Sequence, residues 1–553
     1  MRLPLFALAA VLSLGCQTKA IELQYSDLTD KISNGDLVSV ADLRETFLQR
    51  ADLSDQLERL TDLEQQTMQL VEDEPLKLGA IGTAILDSYY GSLTGHYVLS
   101  LFYQHVDSPE AATPHLEWVD RIRADMHANG DGSRNKPYPA VTIVEAQMYA
   151  VSLAMSPVGS IYQTNEEIPF SVLIQAKPAG KPIKNLHFDL SGVFQAMRQD
   201  FSGTTSDTAK SPEFSPFSLI GFLAKRGDTA AQAAIGTFLA SQNRVDDAVD
   251  WLRGASRKGN LLANSVLARI YWEKARASTD EAAKAAALDE VLENYLHAVA
   301  LGSADAMYAL GVLYLNGHYG EENKSSGVTL LKQAAEMSHS DSAMFLAHLH
   351  YAGEVVAKNL PTARDYYVQA SQLDNPFAQR SYARFLLDRE ADQPADPRAI
   401  EWLKDLARRQ DDAEAMLLLG NLHARGVGVK QSFRRAVGFF KDAVRVSPDD
   451  PAIVNEVAWT LTVSDLAGLK RARYALSIME EMMTINDDAR QRPEYLDTWA
   501  AACAANGDFD RAVAIQEEAL AAATGQEFEG VQDVLQLHLK AFQDGQTITE
   551  VAP

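Results

Sequence analysis

Between about 230 and 450 the apolar and polar positions repeat in a fixed order. The phrase Ala306-Met307-Tyr308-Ala309-Leu310-Gly311-Val312-Leu313-Tyr314 is answered by Ala343-Met344-Phe345-Leu346-Ala347. It recurs as Ala378-Gln379-Arg380-Ser381-Tyr382-Ala383, then as Ala415-Met416-Leu417-Leu418-Leu419-Gly420. The small residues Gly311, Ala347, Ala383 and Gly420 are 36, 36 and 37 positions apart. Self-similarity at that period predicts stacked helical hairpins. A small residue lets two helices approach, large residues fill the neighbouring gap, and Gly supplies the turn. A single hairpin cannot bury its own apolar face, so the units must stack. Gly236 and Ala268 hold the small position in two earlier units, and Ala458 holds it in a later one.

The predicted units run over 231–259, 263–302, 304–338, 341–374, 376–407 and 413–447. In the second, a longer loop rich in Ala and Glu precedes Tyr295. Downstream, 452–464 pairs with 472–483, and Tyr495 to Ala500 opens a further hairpin that turns at Gly507-Asp508. Upstream the period is lost. Residues 21–75 place leucines three or four apart (Leu53, Leu57, Leu60, Leu63), which marks one helical face. Residues 76–128 read as a helical hairpin. Its first arm carries Ile81, Ile85, Tyr89, Tyr97 and Leu101, and its second starts at Pro109, a first-turn proline. The turn residues of 129–137 then introduce a mixed segment. It holds an extended 138–141, a helix over 143–153, and strands over 159–162, 170–175 and 186–190, rich in aromatic and β-branched residues. Residues 201–216 offer almost nothing apolar and read as a linker. The predicted divisions are a leader over 1–15, a helical region over 16–128, a small α+β module over 129–200 and the linker over 201–216. Repeats follow over 217–450 and 451–525, with a C-terminal helix and tail over 526–553.

The Leu-Gly helix, the Gly-rich loop Gly426-Val427-Gly428-Val429 and the aromatic pairs of the second helices (Tyr366-Tyr367, Phe439-Phe440) resemble Sel1-like repeats, relatives of the tetratricopeptide repeat. Residues 451–525 are closer to tetratricopeptide repeats proper. The resemblance implies a mainly α fold, a right-handed α-solenoid of helical hairpins, with a groove for a protein or peptide. Gly130-Asp131-Gly132 and Phe188-Asp189-Leu190-Ser191 resemble the small bacterial module of the DUF4919 type, which implies no activity.

The N-terminus changes the picture of location. Arg2 precedes an apolar run from Leu3 to Leu14, too short to span a bilayer, ending in Ser13-Leu14-Gly15-Cys16. Gly15-Cys16 resembles the lipobox of bacterial lipoproteins, although Ser13 and Leu14 reverse the order the family prefers. The resemblance implies diacylation of Cys16 and removal of 1–15; an ordinary signal peptide cut near Ala20 is the alternative. Gln17 is not the aspartate that retains lipoproteins at the inner membrane. The resemblance therefore implies an outer-membrane protein facing the periplasm. Cys503 is the other cysteine of the chain, and with Cys16 acylated no intrachain disulfide forms. Cys503 lies among alanines and reads as a helix-packing residue.

A net charge of −25 argues against nucleic acid, whose phosphates require Lys and Arg. Catalytic and metal signals are weak throughout. His348 and His350, two apart on a helix, point away from each other and cannot share a metal. His318, His339 and His423 fall on separate loops or helix ends. The run from His127 to Ser133 lacks the first and last ligands of a calcium loop. Glu166-Glu167, Glu321-Glu322, Asp411-Asp412, Asp449-Asp450 and Asp487-Asp488 sit at turn signals, where carboxylates start helices. No phosphate-binding loop, nucleophile elbow or paired-cysteine motif occurs. Tyr271, Trp272, Tyr314, Tyr366, Tyr367, Trp402, Phe439 and Phe440 read as mostly core. The expected function is a non-enzymatic, membrane-anchored scaffold, needing no cofactor, that binds a protein or peptide partner. Two alternatives stand beside it: a glycan or peptidoglycan binder using an exposed aromatic face, and a small-ligand binder or enzyme in 129–200, where His187 is the single histidine.

Overall fold

The computed structural model describes residues 24–203, 215–388, 394–524 and 529–550. Cys16 and its leader, most of the linker and the last three residues lie outside that set. The chain divides into two compact units, 1–303 and 304–553.

The first unit opens with helices Tyr25–Ser33, Val40–Leu48 and Leu53–Asp73, followed by Leu78–Ser88, Leu93–His105 and Pro109–Asn129. The single arm expected from Ile81 to Leu101 is two helices. Tyr89 is extended (φ −143°) and Ser92 restarts the chain, its hydroxyl capping the Gly95 amide. A four-stranded sheet follows, ordered β1 (Tyr138–Pro139), β4 (Lys184–Asp189), β3 (Ser171–Pro178), β2 (Met155–Gln163). β2–β3 and β3–β4 are antiparallel, and β1 joins β4 in parallel with Tyr138 opposite Phe188. The expected strands are present but longer, since β2 and β3 pair from Met155 opposite Pro178 to Gln163 opposite Ser171. Helix Ile143–Ser152 lies between β1 and β2, and helix Ser191–Gly203 follows β4. The expected linker is therefore helical at its first residues, and Pro216 opens the next helix.

The division expected at 128/129 does not separate two cores. Val141 and Val193 pack into the same apolar cluster as Tyr25, Phe47, Leu60 and Tyr89. β2 in turn meets the first repeats: Tyr162 Oη donates to Asp228, and Asn260 donates to the Ser160 carbonyl at 2.7 Å. Those repeats are helices Pro216–Lys225, Thr229–Ser241, Val245–Ser256, Leu261–Ala277 and Glu281–Ala300. The Ala- and Glu-rich loop expected in the second of them is instead the start of the 20-residue helix Glu281–Ala300. Ala and Glu are strong helix formers, and Asp280 caps the amides of Ala282 and Ala283 at 2.8 and 3.0 Å.

The second unit is a series of helix pairs. Ala304–Leu315 pairs with Lys324–Glu336, Ser340–Ala352 with Leu360–Gln372, and Pro376–Leu387 with Pro397–Gln410. Ala413–Arg425 pairs with Phe433–Val446, Pro451–Val463 with Ala472–Ile485, and Pro493–Ala505 with Phe509–Ala522. Helix Glu529–Gln543 follows. Many first helices start on a side-chain cap: Asn375, Asp412 and Asp450 accept amides two or three residues on. No helix among the described residues is long and apolar enough to cross a membrane.

Candidate functional site

The small repeat positions sit where two helices of one hairpin touch. A side chain on Gly236 would begin 2.5 Å from Leu252 Cγ, and one on Gly311 would begin 3.0 Å from the Gly327 carbonyl. At Gly420 it would enter the Phe440 ring. Ala268, Ala347, Ala383 and Ala458 are fully buried. These residues set how near the helices lie.

The residue one step further along faces elsewhere, and three such neighbours behave differently. Arg384, after Ala383, pairs with Glu414. Asn421, after Gly420, is mostly buried yet makes no side-chain hydrogen bond among the described residues. Trp459, after Ala458, donates its Nε1 hydrogen to Glu550 Oε2 at 3.2 Å. That carboxylate belongs to the chain's own tail. The Glu550 amide donates to the Val463 carbonyl and the Asp465 amide to the Glu550 carbonyl, both at 2.8 Å.

Arg384 and Asn421 line a groove of about 820 Å³, walled by helices Pro376–Leu387, Ala413–Arg425 and Pro451–Val463. Leu387, Leu417, Leu418 and Ile453 make its apolar floor. Its charged rim carries Asp388, Glu414, Asp450 and Glu456 against the one guanidinium of Arg384. Asp450 is committed to its helix cap, and Asp388 accepts from Tyr351 Oη. Glu414 is shared by Arg380, at 2.8 Å, and Arg384. Burial lowers the Arg384 pKa, with Arg380 adding to the effect. Glu456 is half-buried with no hydrogen bond or ion pair among the described residues, and burial raises its pKa.

A second groove, of about 500 Å³, lies in the first unit between helices Val245–Ser256, Leu261–Ala277 and Glu281–Ala300. Its inward polar groups are partnered. Arg253 pairs with Glu290 at 2.6 Å and donates to Tyr271 Oη at 2.7 Å. The Ser256 hydroxyl donates to Asn264 Oδ1 at 2.7 Å, and Asn294 donates to the Glu290 carbonyl at 2.8 Å.

The histidines act as packing groups. His348 Nδ1 lies 3.0 Å from Tyr367 Oη, whereas His350 stacks on Tyr366. His423 stacks on Phe439 in the same way, both pairs inclined by 14°. His350 and His423 are 73 positions apart, as are Tyr366 and Phe439, so the stack is a feature of the repeat. His339 caps its helix and meets Asp305 at 3.1 Å. No group of three His, Cys, Asp or Glu among the described residues could hold a metal. Asp131 accepts from the Ser133 amide at 2.9 Å, so 129–137 is a turn. Of the eight aromatics singled out by spacing, Tyr271, Tyr367 and Phe440 are buried and the other five half-buried; none is exposed. Cys503 is buried, its thiol pushed up to about 11. His187 is half-buried, and neither groove draws a residue from 129–200.

One polar cluster had no sequence signal. Glu64, deep in the first unit, bonds to Thr142 and Ser92, and beside it Glu145 accepts the amides of Val141 and Leu93. Burial pushes the Glu64 carboxyl up to about 8. The pair ties the long helix Leu53–Asp73 to the segment before helix Ile143–Ser152.

The family model described as the Sel1 repeat matches residues 304–339, 340–375 and 413–444. These three segments are Sel1 repeats. Between them the structure folds 376–387 and 397–410 into the same hairpin without a family match. The Sel1-repeat-containing protein YjcO of Escherichia coli K12 is 26% identical over 156 residues, which are 28% of this chain and 66% of that protein. The chain thus spans just under two thirds of the length of that relative. Among solved structures, a Sel1 repeat protein from Oxalobacter formigenes aligns with TM-score 0.39 and 16% identity, over 57% of this chain and 89% of that one. The protective antigen c5321 of uropathogenic Escherichia coli, with an SLR fold, aligns with TM-score 0.40 and 15% identity, over 92% and 96%. Sel1 repeats generally mediate protein–protein interaction.

Proposed function

We propose that this chain is a scaffold of the bacterial cell envelope, anchored through a diacylated Cys16, that holds a segment of a partner protein in the groove of its second unit. One observation carries the reading. The groove is a concave, apolar-floored space lined by Asn421 and Glu456, neither of which makes a side-chain hydrogen bond or ion pair among the described residues, whereas the inward polar groups of the groove in the first unit are bonded to one another. A few polar groups with free bonding capacity beside an apolar floor are the make-up of a ligand groove, and a bound segment would supply their partners. The lipobox-like Gly15-Cys16 supports the anchor, outer-membrane by its Gln17.

A photo-crosslinking side chain at Asn421 in the full-length, detergent-extracted protein tests the groove. One discrete adduct is expected there and none from the same group at Gly438, which faces open space on another helix. Equal labelling at both positions, or none at either, overturns the reading. For the anchor, incorporation of a palmitate analogue is expected in the natural chain and not in Cys16→Ser; label retained in the variant removes the anchor.

A further inference from the structure

The partner's chemistry is written in the charge of the groove. Four carboxylates and one guanidinium line it. The guanidinium is neutralised by Glu414, and two of the other carboxylates are committed to Tyr351 and to a helix cap. Glu456 alone is left with neither a cation nor a hydrogen-bond donor among the described residues, at the edge of the floor made by Leu417, Leu418 and Ile453. A half-buried carboxylate without a partner has lost part of its hydration with no protein donor or cation in exchange. A ligand cation placed there recovers both at once. The opposite ligand has no place: an acidic segment would face the rim's carboxylates while the one cation is already occupied.

We infer that this groove takes a basic, amphipathic segment of the partner protein, an Arg or Lys seated on Glu456 and an apolar side chain on the Leu417–Leu418–Ile453 floor. Asn421 lines the same groove, and its amide would bond the peptide backbone. The inference rests on the scaffold reading and adds the class of segment bound. A volume of about 820 Å³ suits a few side chains, so a short segment is recognised rather than a whole domain.

The test uses full-length protein in detergent at physiological salt and fluorescence anisotropy. The probes are short labelled peptides of equal apolar content that carry Arg, Gln or Glu at the same positions. The Arg peptide is expected to bind at least about tenfold more tightly than the Gln peptide, and the Glu peptide most weakly. Glu456→Gln is expected to remove that preference, whereas Asp487→Asn, which discharges an exposed carboxylate outside the groove, keeps it. That contrast separates the groove from the general attraction of an acidic protein for cations. Glu456→Leu adds a readout that a merely structural role would not give: thermal stability rises while Arg-peptide binding is lost. Equal binding of the three peptides, or an unchanged preference in Glu456→Gln, overturns the inference. A discrete crosslink at Asn421 alongside no charge preference defeats the basic segment alone; absence of both defeats the groove itself.

Discussion

The two grooves are built from the same kind of hairpin and differ in what their polar side chains do. In the first unit Arg253, Glu290, Tyr271, Ser256, Asn264 and Asn294 close on one another. In the second, Asn421 and Glu456 face an apolar floor unpaired. A closed set of bonds contributes to folding and leaves nothing for a partner. An open set stabilises the fold less and keeps its bonding capacity for binding. Shape alone would not separate these grooves; the state of their polar groups does.

The largest blow to that contrast comes from removing the open groove altogether. Gly420 lies against the Phe440 ring, and its helix supplies Leu417, Leu418 and Asn421 to the groove. Gly420→Leu forces that helix off its partner, and overpacking with no room to relax costs about 3 kcal/mol or more. A low-temperature melting transition of the second unit is expected, with partner crosslinking lost. Gly438→Ala, with open space around it, is expected to leave melting unchanged or slightly raised, because Ala outranks Gly in helices.

The first unit is better probed by pH. Glu64 holds its proton to about 8 in the folded chain, whereas an unfolded glutamate releases it near 4.3. Between those values the folded state binds more protons, so this contribution to stability is full at low pH and declines as pH rises. The slope approaches about 1.4 kcal/mol per pH unit, and the loss over the whole window is about 5 kcal/mol. Glu64→Gln keeps the shape and removes the titration. Denaturant midpoints for the natural chain and the variant are expected to diverge steadily from pH 5 to 8, the natural chain falling. Parallel curves would show that Glu64 is not a buried titrating group.

These examples also mark what was legible in the chain. The 36-residue spacing located the helix pairs and the small residues between their helices, because close approach of two backbones admits few residue types. It located the hairpin of 376–410, which the family model passes over, because Ala383 keeps the period while the glycine loop is absent. The groove is offset from two of those positions by a single step, at Arg384 and Asn421, so part of its address was present in the repeat. Its significance was not, because the groups that share the groove with these residues (Glu414 and Glu456) come from elsewhere in the sequence. The same distance hid Glu64, whose bond to Thr142 spans 78 positions. The division at 128/129 misled for a related reason: a change of periodicity marks a change of secondary structure, and Val141 and Val193 return to the helical core across it.

A smaller effect separates the grooves directly. Arg253→Ala leaves Glu290 and Tyr271 without their shared donor, in a groove where bonds hold three helices together. The pair is partly exposed, so the expected loss is about 1 kcal/mol. It should appear as a lower denaturant midpoint with binding at Asn421 untouched. A loss of crosslinking at Asn421 in this variant would break the assignment of binding to the second unit.

The smallest stability change is expected where the consequence for binding is large. Asn421 is mostly buried, a position at which truncation to Ala ordinarily costs a hydrogen bond or opens a cavity. Here no intramolecular side-chain hydrogen bond is lost, and the space vacated joins the groove rather than forming a closed void. Asn421→Ala is therefore expected to shift the denaturant midpoint by less than about 0.5 kcal/mol equivalent. The Arg peptide, deprived of the amide that would bond its backbone, is expected to bind several-fold more weakly. A large fall in stability would mean that the amide is bonded within the fold. The open groove would then be as closed as its counterpart, and the contrast between them would rest on Glu456 alone.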